Sequence, residues 1–130
     1  MPRRPQAKWV VRDNNREARI QAACVEYARL VLSKECLIWH TPNGGPGRSL
    51  ARLVWIGMYP GMSDLTIVDE HGLAYFVEIK DVEGTLSKDQ REFRDFCIRT
   101  KKPWAMVHNV TEMHAAMVRF GLTMRSHKLQ

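Results

Sequence analysis

The tetrapeptide Asp69-Glu70-His71-Gly72 lies between two apolar runs, and this limits the fold more than any other stretch of the chain. Asp64-Leu65-Thr66-Ile67-Val68 precedes it, and residues 73–80 follow it with Tyr75, Phe76, Val77 and Ile79. Polar turn residues ending in a glycine suited to positive φ predict an antiparallel hairpin. A lone hairpin is marginal in water and needs other elements to cover it. The rest of the chain offers them. Asp13 or Asn14 can cap a helix running to Ser33, with Ile20, Ala23, Cys24, Tyr27 and Val31 on one face. A strand at 37–40, a Pro- and Gly-rich loop at 41–47, a short helix at 49–56 ended by Gly57, and a turn-rich stretch at 58–63 follow. After the hairpin, Ser87 starts a helix to Thr100, with Gln90 as capping-box partner and Phe93, Phe96 and Cys97 as its apolar stripe. A strand at 104–107 and a helix capped by Asn109 or Thr111 and stopped by Gly121 complete the order. The prediction is an α/β domain with a mixed central sheet flanked by helices.

The chain has 130 residues, 45% hydrophobic and 26% charged, which suits one globular domain and argues against a disordered or fibrous chain. The expected division is a basic arm at 1–12, a folded domain at 13–121 and a basic tail at 122–130. No apolar run approaches the roughly 20 residues of a membrane helix. No apolar signal core follows the basic Met1-Pro2-Arg3-Arg4-Pro5. Cys24, Cys36 and Cys97 are odd in number and lack paired metal spacing, so reduced core thiols and a cytoplasmic location are expected. The net charge of +6 sits at the ends: residues 1–12 and 119–130 carry seven basic residues and no acid. Residues 36–63 contain Arg48 and Arg52, no carboxylate, and Trp39, Trp55 and Tyr59. Basic ends and a basic, aromatic stretch suit a polyanion such as nucleic acid, although basic tails also serve solubility alone. The aromatics are read as core or as stacking surfaces, and the arginines as DNA contacts or solvated charge. His40, His71, His108 and His114 form no zinc-binding pattern.

The stretch that carries chemistry is Asp64 with Glu78-Ile79-Lys80. Residues two apart in a strand share a face, so Glu78 and Lys80 stand side by side. The hairpin returns Asp64 to a position opposite Glu78, within one register step. Glu78 also interrupts an apolar strand, and a carboxylate taken from water needs a partner. One reading is a Glu78–Lys80 pair on a solvated face. The other is a divalent-cation site, because Mg²⁺ is commonly held by one or two carboxylates together with water and phosphate oxygens. A cation there would activate a phosphate and water, with Lys80 placing the water or countering charge on the phosphate. Glu17 lies about 50° from the centre of the first helix's apolar stripe, so it can border the core and approach the sheet, or serve only the helix dipole. Gln90 is either a helix cap or a site residue.

Gly61-Met62-Ser63-Asp64 followed by Val77-Glu78-Ile79-Lys80 resembles the PD-(D/E)XK nuclease signature. Thr41-Pro42-Asn43-Gly44-Gly45 ahead of it, and Gly84-Thr85-Leu86-Ser87-Lys88-Asp89-Gln90 behind it, are similar to the VRR-NUC branch of stand-alone phage and bacterial proteins. The likeness spans residues 14–112. It implies a restriction-endonuclease-like core and DNA phosphodiester cleavage with Mg²⁺, or Mn²⁺ in its place. By motif position Asp64, Glu78 and the Ile79 carbonyl would be metal ligands, Lys80 the catalytic lysine, Glu17 the helix acid and Gln90 the motif glutamine. Arg48, Arg52, Asn43 and Lys88 are the candidate DNA contacts. Ser63 stands where the family has proline, a change expected to alter local rigidity only. The resemblance points to a homodimeric Holliday-junction resolvase without membrane or organic cofactor, since a four-way junction's two symmetric cuts suit a C2 dimer. The alternatives are a nuclease acting on flaps, single strands or duplex, and an inactive DNA-binding module.

Overall fold

The computed structural model describes residues 14–42 and 49–125. The arm at 1–12, Asp13, Asn43, Arg48 and residues 126–130 lie outside the described residues. The element order is α1 (Asn14–Val31), β1 (Leu37–His40), α2 (Leu50–Trp55), β2 (Leu65–Val68), β3 (Ala74–Ile79), α3 (Lys88–Arg99), β4 (Trp104–Val107) and α4 (Val110–Phe120). Local chemistry sets most of the boundaries. Ser49 caps α2, and Ser87 with Gln90 closes the expected capping box on α3. Asn109 caps α4, and Gly121 ends it in the left-handed conformation at φ 75°. Gly72 takes φ 81° in the hairpin turn, as its position predicts.

The four strands form one sheet in the order β1-β2-β3-β4. β1–β2 and β2–β3 are antiparallel, while β3–β4 is parallel across α3. Leu65 pairs with Val77, which sets Asp64 against Glu78 one step on. Alternation then sorts the central strands into two faces. Leu65, Ile67, Val77, Ile79, Ala105 and Val107 face the main core with Cys24 and Ala28 of α1 and Met113, Ala116 and Met117 of α4. Phe76 and Glu78 face the other way, where α3 covers them. The Phe76 and Phe93 rings meet edge to face at 5.1 Å. β3 is therefore covered on both sides, and this is why a carboxylate near its end is buried.

Two details depart from the sequence reading. Ala23 is exposed and Ala28 is buried, so the buried line of α1 runs through Cys24, Ala28, Val31 and Leu32. The helix also ends at Val31, because Leu32 leaves it to bridge Met124. The start of the expected basic tail packs onto that end. Leu122 is buried, and the Arg125 guanidinium donates to the carbonyls of Leu32 at 2.9 Å and Arg29 at 3.1 Å. A cation there satisfies the last carbonyls of a helix and opposes its dipole. Among the described residues no helix is long and apolar enough to cross a membrane.

Ile67 is wholly enclosed between the sheet and the two helices. Ile67→Ala is expected to lower the unfolding free energy by about 2–5 kcal/mol. The urea midpoint should fall with the slope unchanged, and an unmoved midpoint would contradict this placement of the core.

Candidate active site

The site forms where the β2–β3 ladder ends. Asp64 lies just before β2, and its backbone is held from β1: the carbonyl accepts from Thr41 N at 2.9 Å and lies 2.8 Å from His40 Nδ1. Its side chain turns to the neighbouring strand, where Oδ2 accepts from Ile79 N at 2.8 Å. That bond fixes one carboxylate oxygen and directs the group toward Glu78.

Glu78 is only 2% exposed. Its Oε2 accepts from Gln90 Nε2 at 2.9 Å. The Gln90 amide has no freedom to turn over, because Oε1 already accepts from Ser87 N at 2.8 Å. Gln90 thus serves as helix cap and site residue at once. The two readings left open by the sequence are one arrangement, in which the capping box aims a donor at the buried acid.

Glu17 reaches the same end of the sheet from the first turn of α1, and its Oε2 accepts from Asp81 N at 3.3 Å. The glycine of the Gly-x-Leu-Ser motif makes room for this. A Cβ at Gly84 would sit 3.2 Å from Glu17 Oε2 and 3.2 Å from Lys80 Cδ. Gly61 does the same on the other side, since a Cβ there would lie 2.3 Å from the Asp89 carbonyl oxygen. Its φ of 83° also favours glycine. The segment before Asp64 is thereby held against the first turn of α3.

Burial pushes the Glu78 carboxyl well above the ordinary range. The adjacent Asp64 charge and a hydrogen bond with Asp64 push the same way, and Lys80 opposes them. Two carboxylates forced together out of water favour a proton or a cation between them. The donor set is all oxygen, which fits a hard divalent ion. Among the described residues no group of three His, Cys, Asp or Glu gathers as a metal cluster. Asp64 and Glu78 form the central pair, and Glu17 lies to the side at Asp81. Lys88 is on the first turn of α3, paired with Glu92 at 3.4 Å, and Arg52 is on the exposed surface of α2.

Sequence reasoning quoted Gly61 and Gly84 without a role, and it missed His40 and Asp81 as supports. The glycines had a signal in their motif positions. The other two act through contacts that only the tertiary fold creates. Ser63 is fully buried, and its hydroxyl has no hydrogen-bond partner. An apolar residue suits that space better. Ser63→Ala should raise the unfolding free energy by about 1 kcal/mol, and a loss of that size instead would reveal a partner for the hydroxyl.

Glu78 also makes a pH prediction. A carboxyl raised in the folded state stabilises below its unfolded value of 4.5, and that contribution is lost as pH rises to about 9. Without divalent cations, wild-type stability should fall across that window relative to Glu78→Gln. Parallel pH profiles of the two melting temperatures would rule out the buried, raised carboxyl.

No protein-family model and no curated protein matches the chain. A solved VRR_NUC domain does match in structure, with a TM-score of 0.53 and 19% sequence identity. The match covers 80% of this chain and 95% of that one. The chain therefore has the fold of a VRR_NUC domain, a restriction-endonuclease-like α/β core with a mixed sheet between helices.

Proposed function

We propose that this chain is a metal-dependent DNA endonuclease of the PD-(D/E)XK type. The observation that carries the reading is the buried Glu78 carboxylate set against Asp64, with Lys80 next on the same strand face. A carboxylate pair at the end of a sheet, on this fold, is costly to stability and suited to phosphodiester hydrolysis.

Asp64 and Glu78 would hold the cation with the Ile79 carbonyl, and Glu17 would complete the acidic side. Mg²⁺ is the expected ion, with Mn²⁺ as a substitute. A divalent cation bound there supplies Lewis acidity at a phosphoryl oxygen and makes water more acidic. The chain's own groups do the rest. Gln90 keeps Glu78 in one orientation, so the donor atom needs no rearrangement when substrate arrives. Asp64 is fixed through Ile79 N. Lys80 places a positive charge beside the acid pair, where it can orient the attacking water or counter charge building on the phosphate. Glu17 Oε2 and the Lys80 stem both border the space beside Gly84, so the helix acid lies near the lysine. Substrate approach is favoured by the surplus of basic residues at the two ends of the chain.

Within this reading the specific form is a homodimer cutting four-way DNA junctions in symmetric pairs. The test is a panel of labelled junction, flap, single-stranded and linear duplex DNA with Mg²⁺ or Mn²⁺. Lys80→Ala and Asp64→Ala should each reduce cleavage by at least about a hundredfold while DNA binding persists. Chelation should abolish cleavage. Equal cutting by wild type and Lys80→Ala would sink the site assignment. Paired symmetric cuts confined to the junction would support the resolvase form; cuts elsewhere would leave a nuclease of another specificity. A monomeric mass on DNA by light scattering would remove the dimer.

A further inference from the structure

We infer that Trp55 and Tyr59, with Arg52, form a stacking platform for an unpaired DNA base beside the cleaved phosphate. The inference rests on the nuclease reading and narrows its substrate to DNA with unstacked bases near the cut.

The first observation is that α2 buries none of its residues. A six-residue helix is too short to be stable through its own hydrogen bonds. It contributes little to the core, yet it carries Trp55 at 78% exposure, with Ile56 exposed beside it. Large apolar groups gathered on an exposed surface mark a binding surface more often than chance.

The second is position. Beyond α2, Met58 N donates to Leu53 O at 2.9 Å and closes the turn. The Tyr59 ring, 52% exposed, then meets the edge of Phe93 at 5.9 Å. Phe93 lies three residues after Gln90 on α3, so Tyr59 packs about one helical turn, or roughly 5 Å along the axis, from the side chain that holds Glu78. The backbone next passes Asp89 at Gly61 and arrives at Asp64. Trp55 is four residues before Tyr59 and thus within about 14 Å of it along the chain. One or two nucleotides span that range.

The third is chemistry. Residues 36–63 carry no carboxylate, so an anion meets no repulsion from this segment, and Arg52 offers it a charge. The polar side-chain groups of residues 50–59 are the Arg52 guanidinium, the Trp55 indole N–H and the Tyr59 hydroxyl, and only the hydroxyl can accept. Reading base edges in a groove requires several placed donors and acceptors, which this surface lacks. It offers π-faces. In duplex DNA the base faces are taken up by neighbouring base pairs, whereas an unpaired base leaves its face open to an aromatic ring. The surface therefore suits single-stranded tails, flaps and opened branch points.

The test is binding without metal, so that cleavage plays no part. Affinity is measured for a duplex with a single-stranded tail and for the same duplex with blunt ends, and 2-aminopurine at the first unpaired position reports stacking. Trp55→Ala should weaken tailed-DNA binding roughly 5- to 150-fold and restore 2-aminopurine emission, leaving blunt-duplex affinity unchanged. Trp55→Phe should recover most of the loss. Trp55 is exposed, so neither variant threatens the fold, and matching melting temperatures check this. Equal affinities for tailed DNA in wild type and Trp55→Ala, or equal losses on tailed and blunt DNA, would overturn the platform. So would a Trp55→Ala protein that turns from dimer to monomer with its preference for tails intact, since a second copy would then cover this surface. Wild type that neither binds DNA without metal nor cleaves it with Mg²⁺ removes both readings. Wild type that cleaves DNA without any effect of Trp55→Ala removes the platform alone.

Discussion

The burial of Glu78 against Asp64 constrains the architecture around it more than any other contact. Withdrawing a carboxylate from water costs on the order of several kcal/mol unless charge or hydrogen bonds offset it. Each nearby element contributes to that offset or makes the burial necessary. α3 covers the face of β3 on which Glu78 lies, through Phe93 on Phe76, and the same helix supplies the Gln90 donor. Ser87 fixes the direction of that donor. Gly61 lets the segment before Asp64 lie close against the first turn of α3. The helix cap, the glycine and the acid pair therefore work as one unit, and a change at Ser87 would be felt at Glu78 although the two never touch.

Much of this was legible in the sequence because it is local. Caps at Ser49, Ser87 and Asn109 rest on hydrogen bonds within three residues, and the turn at Gly72 rests on one backbone conformation. Glu78 was legible for a different reason: an acid amid Tyr75, Phe76, Val77 and Ile79 breaks the pattern of its own strand. The hairpin then brought Asp64 to it with little freedom of register. What escaped is non-local. Glu17 meets Asp81 across 64 positions, and Arg125 meets the end of α1 across more than 90. Periodicity on α1 could not distinguish Ala23 from Ala28, because small apolar residues satisfy a stripe wherever the partner helix happens to lie.

The exposed aromatics show the limit of composition as a guide. Trp39, Trp55 and Tyr59 are residues expected in a core as readily as on a surface, and the structure leaves all of them substantially exposed. Trp39 and Trp55 lie on β1 and α2, which are too short to enclose a large ring, and Tyr59 lies on the turn beyond α2. A related asymmetry explains how this chain shares a fold at 19% identity while matching no family model. Core positions such as Leu65, Ile67 and Met117 require volume and apolarity, which many residues supply. The polar positions at the end of β2 and β3 require particular atoms in particular directions. The fold therefore persists with little sequence in common.

Stability and position oppose each other at one end of the sheet. A buried acid pair can often be replaced by apolar residues without loss of stability, and an orphaned buried hydroxyl gains nothing by being polar. Glu78 with Asp64 and the Ser63 hydroxyl are such features, and they are adjacent. The exposed apolar surface of α2 joins them through the segment at 58–63, on the same approach to Asp64. Elsewhere among the described residues, α3 and α4 are capped and the main core is continuous. Local rules that hold across a chain and fail together in one place locate the part of the molecule kept for something other than folding. Here that place is a pair of acids, a lysine beside them, and a ring-bearing helix leading to them along the chain.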